Sequence, residues 1–465
     1  MSTPLLLVMG NQLYPTHKVG LMEGSTARRR GYAELGPAPL PVFMAEEPAR
    51  CRQFRCHTHK LLLILSSMRS HRDFLTGRHE LYYYTLEDTR SYFEKLQDAV
   101  RHARPDALVA YEPDDRRLEK QLTEYAARLG LPLSFRPSKS FLMSGKEVRE
   151  KLRESPEEPA ATKREPRETT GKPREELAEP GEEQKAFPEN IRFLPLPRAD
   201  WTDHTRRLAG EISKMFPDNP GDPADFFLPT SRGQALKWLD SFLQYRLVHF
   251  GEYQSAIHQS ELLGFHSLLS PLLNIGLLFP GEVVEAAQQR NVSASSREGF
   301  IRRIIDTREM QRGMYLTRAL DKAGKEIFQG HRRLGEAWYS GTTGLPIVDD
   351  SIKKVLRYGY VHHRERLMVL AVMHMCEVHP EEVYRWFSEL FVDAHDWVTI
   401  PNLYGIEIFD SNYLLKISNY AKGPWCDTVD GLYRRFVDRR RYLSESKSES
   451  RSGASSEIHK RVNLL

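Results

Sequence analysis

The residues able to do chemistry crowd into the C-terminal half of this chain. His266 to Gly276 reads H-S-L-L-S-P-L-L-N-I-G, with Ser267 and Ser270 three apart where Ser270-Pro271 can open a helix. Proline suits a first helical turn because the amide it lacks would have no partner there, and serine at such a start accepts from the free amides. Two hydroxyls and several unpaired amides facing one volume make an anion site; the same residues, with Leu268 and Leu269 between the serines, also read as the plain cap of a buried helix. Phe300 to Tyr315, F-I-R-R-I-I-D-T-R-E-M-Q-R-G-M-Y, is an amphipathic helix carrying Arg302, Arg303, Arg308 and Arg312. Their spacing cannot put all four on one face, so only a subset would meet a phosphate backbone, with an affinity that falls as salt rises. Tyr360 to Met368, Y-V-H-H-R-E-R-L-M, and Phe391 to Asn402, F-V-D-A-H-D-W-V-T-I-P-N, supply further ionisable groups.

Cys51, Cys56, His57 and His59 offer the thiolate and imidazole ligands that zinc prefers. The spacing C-x4-C-H-x-H matches no compact knuckle, and on one helix the two cysteines would face different sides. No metal site is predicted. Four cysteines in all, with no signal peptide, fit a reducing cytoplasm better than a disulfide framework. Sixty-seven basic against 63 acidic side chains leave a net charge of +4, too balanced to announce nucleic-acid binding through composition, so any DNA-binding face is local. Apolar runs such as Leu61 to Leu65 fall short of the roughly 20 residues that a membrane span needs. A soluble monomer with no membrane partner is expected.

The elements that position these residues divide in two. Leu5 to Met9 is a short apolar run ending at Gly10-Asn11-Gln12, and Val42-Phe43-Met44 before Ala45-Glu46-Glu47 has the same form. Such runs read as buried parallel strands, whose carboxyl ends are where open α/β sheets bind ligands. Leu81 to Thr85, Ala107 to Tyr111 and Leu133 to Arg136 continue the strands, with helices at Cys56 to Leu75 and Gln121 to Leu129, the latter stopped by Gly130. Strand and helix alternate, which predicts a doubly wound α/β domain over residues 1–146. Residues 147–189 turn to Glu, Lys, Arg and Pro, a composition unable to offset the entropy of ordering, and are predicted to be a solvated linker. Residues 190–443 read as all-α, including a single helix from Ala235 to Phe250 with Leu236, Leu239, Phe242, Leu243 and Leu247 inward, and residues 444–465 read as a tail.

In their order and separation the three C-terminal motifs resemble the FAD-binding half of the photolyase/cryptochrome superfamily, and specifically its bacterial deoxyribodipyrimidine photolyase-related branch, which carries an iron-sulfur cluster. Gly10 to Leu13 (G-N-Q-L), Met44 to Glu46, His59-Lys60 and Ser66 to Arg69 resemble that branch's antenna domain. The resemblance implies FAD held with Ser267, Leu268, Leu269 and Ser270 at its pyrophosphate and with an Arg366–Asp393 pair beside the ring. Such a pair supplies positive charge near a reduced flavin without leaving a buried charge unpaired. Arg308 and Asn402 are implied to lie near the cofactor. His362 and His363 match a histidine pair of which the second faces a DNA lesion as proton donor, or else they open a helix. Trp386 is implied to relay electrons to the flavin, or to pack in the core. Gly10, Gln12 and Glu46 match the site of a lumazine-type antenna, Glu46 being equally an ordinary carboxylate at a helix N-terminus.

Departures from the family pattern limit what carries over. Thr307 stands where the family has the tryptophan that stacks on a flipped pyrimidine dimer, Thr399 replaces an acidic residue, and a glycine-rich loop after Pro401 to Gly405 looks deleted. A cubane cluster needs four thiolates, and Ile347, Ala421 and Pro424 occupy three of the expected positions beside Cys426, so no cluster is expected. Two readings follow: a flavin-dependent photolyase repairing UV pyrimidine lesions in damaged DNA by light-driven electron transfer, or a repair-inactive binding or photosensory protein on the same scaffold.

Overall fold

The computed structural model describes residues 3–15, 40–154, 187–188, 190–317, 330–404, 425–432, 434, 435 and 438. Five parallel strands form one sheet: β1 Leu5–Leu7, β2 Pro41–Ala45, β3 Glu80–Tyr84, β4 Leu108–Tyr111 and β5 Leu133–Arg136, in the order β3-β2-β1-β4-β5. Alternating residues divide between two faces, as the two-residue period of a strand requires. Leu5, Leu7, Phe43, Leu108 and Ala110 pack with Leu96 and Leu122 of the helices Tyr92–Ala103 and Arg116–Leu129. Leu6, Val42, Met44 and Val109 pack on the other side, in a core that continues through helix Thr58–Leu75 into the helical half. Helix Tyr92–Ala103 starts in a capping box between Ser91 and Glu94, and helix Arg116–Leu129 ends at Gly130 in the left-handed conformation that its lack of Cβ permits.

Helix Thr58–Leu75 is fastened to the helical half at its first turn. The His57 amide donates to Glu389 O (2.7 Å) and its Nε2 to Leu356 O (2.9 Å), while Thr58 N donates to Pro220 O (2.7 Å). Burial, with His59 adjacent, pushes His57 down to about 3, so it stays neutral. Further along, Arg69 bridges Glu46 and Glu211, one carboxylate in each half. Gly276 fits against Tyr14, whose ring a Cβ would approach to 2.6 Å.

Four expectations change. Gly145–Glu154 is a helix, so the first eight residues of the expected linker are ordered: Ser144 and Glu147 cap it reciprocally and Val148 is buried. Of the remainder, 155–186 and 189 lie outside the described residues, as do 444–465. The helix expected from Ala235 to Phe250 breaks at Arg246 into Arg232–Tyr245 and Leu247–Tyr253; Arg246 turns inward and donates to Pro195 O. Leu236 is 41% exposed, because the buried stripe runs through Ala235, Trp238, Leu239, Phe242 and Leu243 and leaves it one step round the helix. The arginine-rich helix is α-helical over Ala294–Arg302 and Arg308–Thr317 but π-helical over Arg303–Thr307.

Candidate cofactor site

Arg366 lies in the first turn of helix His363–Met375, which His362 caps: its Nδ1 accepts from Arg364 N (3.3 Å), and its amide donates to Glu365 Oε2 (3.2 Å). Glu365 is itself fixed by Lys354 Nζ at 2.7 Å. From this start Arg366 donates Nη1 to Asp393 Oδ1 (2.9 Å), Nη2 to Asp393 Oδ2 (3.1 Å) and Nε to Val361 O (3.0 Å), with its guanidinium 4.4 Å from the Phe391 ring centre. Asp393 is 4% exposed. Burial acts to raise its pKa, but the Arg366 guanidinium and the Ser270 hydroxyl outweigh it and hold the carboxyl below its usual range.

The pair is linked to the serine stretch and onward to the arginine-rich helix. Ser270 Oγ donates to Asp393 Oδ2 (2.6 Å) and Asn274 Nδ2 to Asp393 O (3.0 Å). Asn274 Oδ1 accepts from Arg308 Nη1 (2.7 Å), and Arg308 Nη2 donates to Ser140 O (3.1 Å). Arg308 is buried, 4.9 Å from the Trp397 ring centre; burial brings its pKa down to about 10 against the pull of Asp114 and Glu309. Glu309 Oε1 accepts from Leu142 N (2.7 Å), and its carboxyl is pushed up by burial. Four buried polar atoms around Arg308 have no hydrogen-bond partner among the described residues: Arg308 Nε, Glu309 Oε2, His395 Nε2 and Trp397 Nε1. His395 is pushed down to about 3 by burial and by Lys60.

The expected site residues thus fall into groups. Ser270, Arg308, Arg366 and Asp393 are joined directly or through Asn274, while Asn402 accepts from Gln311 Nε2 at 3.0 Å, three residues on from Arg308 in the same helix. The expected anion cradle takes another form: the helix is only Ser270–Asn274, Leu269 precedes it with no side-chain cap, and Ser270 turns its hydroxyl to Asp393. Leu268 and Leu269 are buried, Leu268 at φ 49°, and Ser267 offers its carbonyl to Trp238 Nε1. His362 is buried against His266, ring centres 3.9 Å apart, and burial holds it well below 6.5, so it is neutral near pH 7. His363 is half-buried at the start of the helix. Trp386 is 1% exposed, donates Nε1 to Trp338 O (2.8 Å) and meets Phe391 at 5.7 Å.

Of the four arginines, Arg302 and Arg303 are exposed, whereas Arg308 and Arg312 are interior. Arg312 donates to Met143 O (2.5 Å) and Glu112 Oε2 (3.0 Å) and lies 4.0 Å from the Phe141 ring centre, joining the two halves. Glu46 is saturated: Arg69 grips both its oxygens, Tyr83 OH donates to Oε1 (2.6 Å) and Leu86 N to Oε2 (3.0 Å). Gln12 Nε2 donates to Glu112 O (2.9 Å), and a Cβ on Gly10 would come within 2.9 Å of Met68 Sδ. Cys51 and Cys56 are free thiols, and among the described residues no group of three or more His, Cys, Asp or Glu is arranged to hold a metal. Cys376 follows the last residue of helix His363–Met375 and borders a cavity of about 610 Å³ with Trp338, Leu345, Pro346 and Trp425. Ala421, Pro424 and the segment after Tyr404 lie outside the described residues. Sequence reasoning did not assign Asn274, Phe141, Trp397 and His395; Asn274, four residues after Ser270, shares its helix face and was the one with a usable signal.

Residues 6–158 match the family model of the deoxyribodipyrimidine photo-lyase-related protein, and residues 290–413 that of the FAD binding domain of DNA photolyase. The chain is 26% identical over 451 residues to a (6-4) photolyase of Agrobacterium fabrum (strain C58 / ATCC 33970), covering 91% of this chain and 86% of that one. It is also 26% identical over 194 residues to a deoxyribodipyrimidine photo-lyase of the same organism, 39% of each chain. The crystal structure of a bacterial class III photolyase from Agrobacterium tumefaciens superposes with a TM-score of 0.54 at 18% identity, over 94% of this chain and 87% of that one, a likeness of fold. The chain is thus similar to photolyases in both halves: its sheet domain matches the deoxyribodipyrimidine photo-lyase-related family model and its helical half the photolyase FAD-binding one.

Proposed function

We propose that this protein binds FAD at the Arg366–Asp393 site and uses it in light-driven repair of pyrimidine lesions in DNA. The observation that carries the proposal is the buried polar set itself. A bidentate ion pair braced by Ser270 and Asn274 lies next to four buried polar atoms that find no partner among the described residues. Buried polar groups are nearly always paired, so a set of donors and an acceptor left open in one place fits a polar ring carrying both amide and carbonyl groups. Arg366 and Asp393 would flank that ring, and Arg308, Glu309, His395 and Trp397 would meet its polar edges. Bound in its reduced form, the flavin supplies the electron for lesion cleavage.

The protein's own part is electrostatic and steric. Arg366 offers fixed positive charge whose partner already satisfies it, so charge on a neighbouring anion is stabilised without reorganisation. Trp386, one ring from Phe391 and so from Arg366, stands in line to carry an electron toward the site. DNA would be met by Arg302 and Arg303, since Arg308 and Arg312 are committed to the interior. Glu46, with every acceptor position taken, is assigned to holding the halves together rather than to an antenna chromophore. A second reading, a repair-inactive sensor, is favoured by one observation: Thr307 stands where the family has the tryptophan that stacks on a flipped pyrimidine dimer.

The test is the absorption spectrum of the purified protein, then FAD titration and repair of a UV-irradiated oligonucleotide with and without light. Flavin binding with light-dependent repair supports the enzyme. Flavin binding without repair selects the sensor, and no binding at excess FAD overturns the flavin reading.

A further inference from the structure

We propose that Lys60, contributed by the α/β half, is a positioning residue for Asp393, so that the sheet domain sets the geometry of the cofactor site in the helical half. The inference rests on the reading of the Arg366–Asp393 pair as flavin-binding, and extends it to a residue of the other half.

Asp393 sits in the short loop between helix Pro380–Leu390 and helix Asp396–Tyr404. Lys60 Nζ donates to Ser388 O at 3.0 Å, in the last turn of the first helix, and to Ala394 O at 3.1 Å, the residue after Asp393. The last carbonyls of a helix lack intrahelical partners, and a cation there also opposes the negative end of the helix dipole. One ammonium therefore clamps both ends of the loop. Two further bonds complete the frame: His57 N donates to Glu389 O (2.7 Å) and Val392 N to Gly359 O (2.9 Å). Asn274 holds the carbonyl of Asp393 itself from the opposite side. The carboxylate has little freedom to rotate away from Arg366, and three of the bonds that restrict the loop come from Lys60 and His57. Lys60 commits its ammonium to two backbone carbonyls and so acts through the backbone that carries Asp393.

Lys95 provides a control within the same domain. It is fully buried and donates Nζ to Glu46 O at 2.8 Å, on the sheet and apart from the Asp393 loop. The full-length protein is compared as wild type, Lys60→Met, Lys60→Arg and Lys95→Met, with Lys60→Gln in reserve should the methionine variant not fold. Two readouts are taken: amide hydrogen exchange over residues 391–395 without cofactor, and FAD affinity by quenching of flavin fluorescence. Lys60→Met is expected to speed exchange in the loop and to weaken FAD roughly 10- to 100-fold, the range typical for groups that orient a ligand-holding side chain. Lys60→Arg should restore most of both, and Lys95→Met should leave FAD affinity unchanged. Unchanged exchange over 391–395 in Lys60→Met overturns the inference whatever the flavin does, and equal weakening by Lys95→Met overturns it as well. If wild type binds no FAD, the flavin reading falls separately, and the exchange readout still decides whether Lys60 holds the loop.

Discussion

Replacing Arg366 by methionine tests whether the ion pair is truly interior. The side chains of Arg366 and Asp393 are 16% and 6% exposed. An exposed pair would be worth about 0–1 kcal/mol, whereas breaking a buried one by removing one partner costs about 3–5 kcal/mol because the remaining charge is left uncompensated. In Arg366→Met, Asp393 would keep the Ser270 hydroxyl but lose both guanidinium bonds. A loss of about 3–5 kcal/mol is therefore expected in urea unfolding of the full chain, followed by circular dichroism and tryptophan fluorescence. Adding Asp393→Asn removes the stranded charge and should recover part of that loss. The pH dependence carries its own signature. In wild type the Asp393 carboxyl is held below its usual range, so its contribution is present above the unfolded value near 3.8 and is lost as pH falls through the lower folded value. In the variant, burial is opposed only by hydrogen bonds such as that from Ser270 and raises that pKa, so the deficit should narrow as the solution is acidified. A loss under about 1 kcal/mol, or no recovery in the double variant, would refute the interior pair.

Asp114 is pushed up to about 6 by burial, against the pull of Arg312 and Arg308; the stability tied to its protonated form is full below about 3.8 and lost as pH rises through about 6. Asp114→Asn should therefore be more stable than wild type at pH 8 by up to about 3 kcal/mol, the difference vanishing near pH 4 in urea titrations. His57, His266, His362 and His395 are all held neutral by burial, so their contribution is full above about 6.5 and declines below it by up to about 1.4 kcal/mol per pH unit for each histidine. A urea midpoint that did not fall between pH 7 and pH 5 would contradict this. For DNA, Arg302→Glu and Arg303→Glu should each weaken binding and lower the slope of log affinity against log salt by about 1. Arg312→Ala should lower stability and leave that slope unchanged, and a reduced slope would mean that Arg312 reaches phosphate.

The sheet domain was the more legible half because buried parallel strands are short uninterrupted apolar runs. Leu133–Arg136 matches the expected bounds, and the other strands start or end within two residues of them. Helix breaks were less visible. Nothing in periodicity marks Arg246 as the point where a helix re-aims, since its partner is Pro195; Gly145–Glu154 did carry a local signal, the S-x-x-E pattern of Ser144 and Glu147, hidden by the charged composition around it. In the site, Arg366 and Asp393 were legible through motif order, but side-chain direction was not. Ser270 could equally have faced a phosphate or a carboxylate. The inward turn of Arg308 and Arg312 follows from acceptors at Ser140, Met143 and Glu112, which lie more than 160 residues away in sequence. Trp397 and Phe141 escaped notice for the same reason: they matter as two rings in edge contact with each other, against which Arg308 lies.

The π turn at Arg303–Thr307 accommodates one residue more than an α-helix would use over that span. Each residue turns an α-helix by about 100°, so the segments before and after the turn keep separate registers. Arg302 and Arg303 stay on the outside while Arg308 and Arg312 swing into the interior, although they belong to one continuous rod. Removing that one extra residue would let regular winding run through the same span and leave Arg308 near Asn274 and Arg312 near Glu112. Forcing all of these residues into α winding without a deletion would instead rotate everything downstream by up to about 100°, so a substitution that abolished the π turn at constant length would rewire the site more thoroughly than a loss of length there.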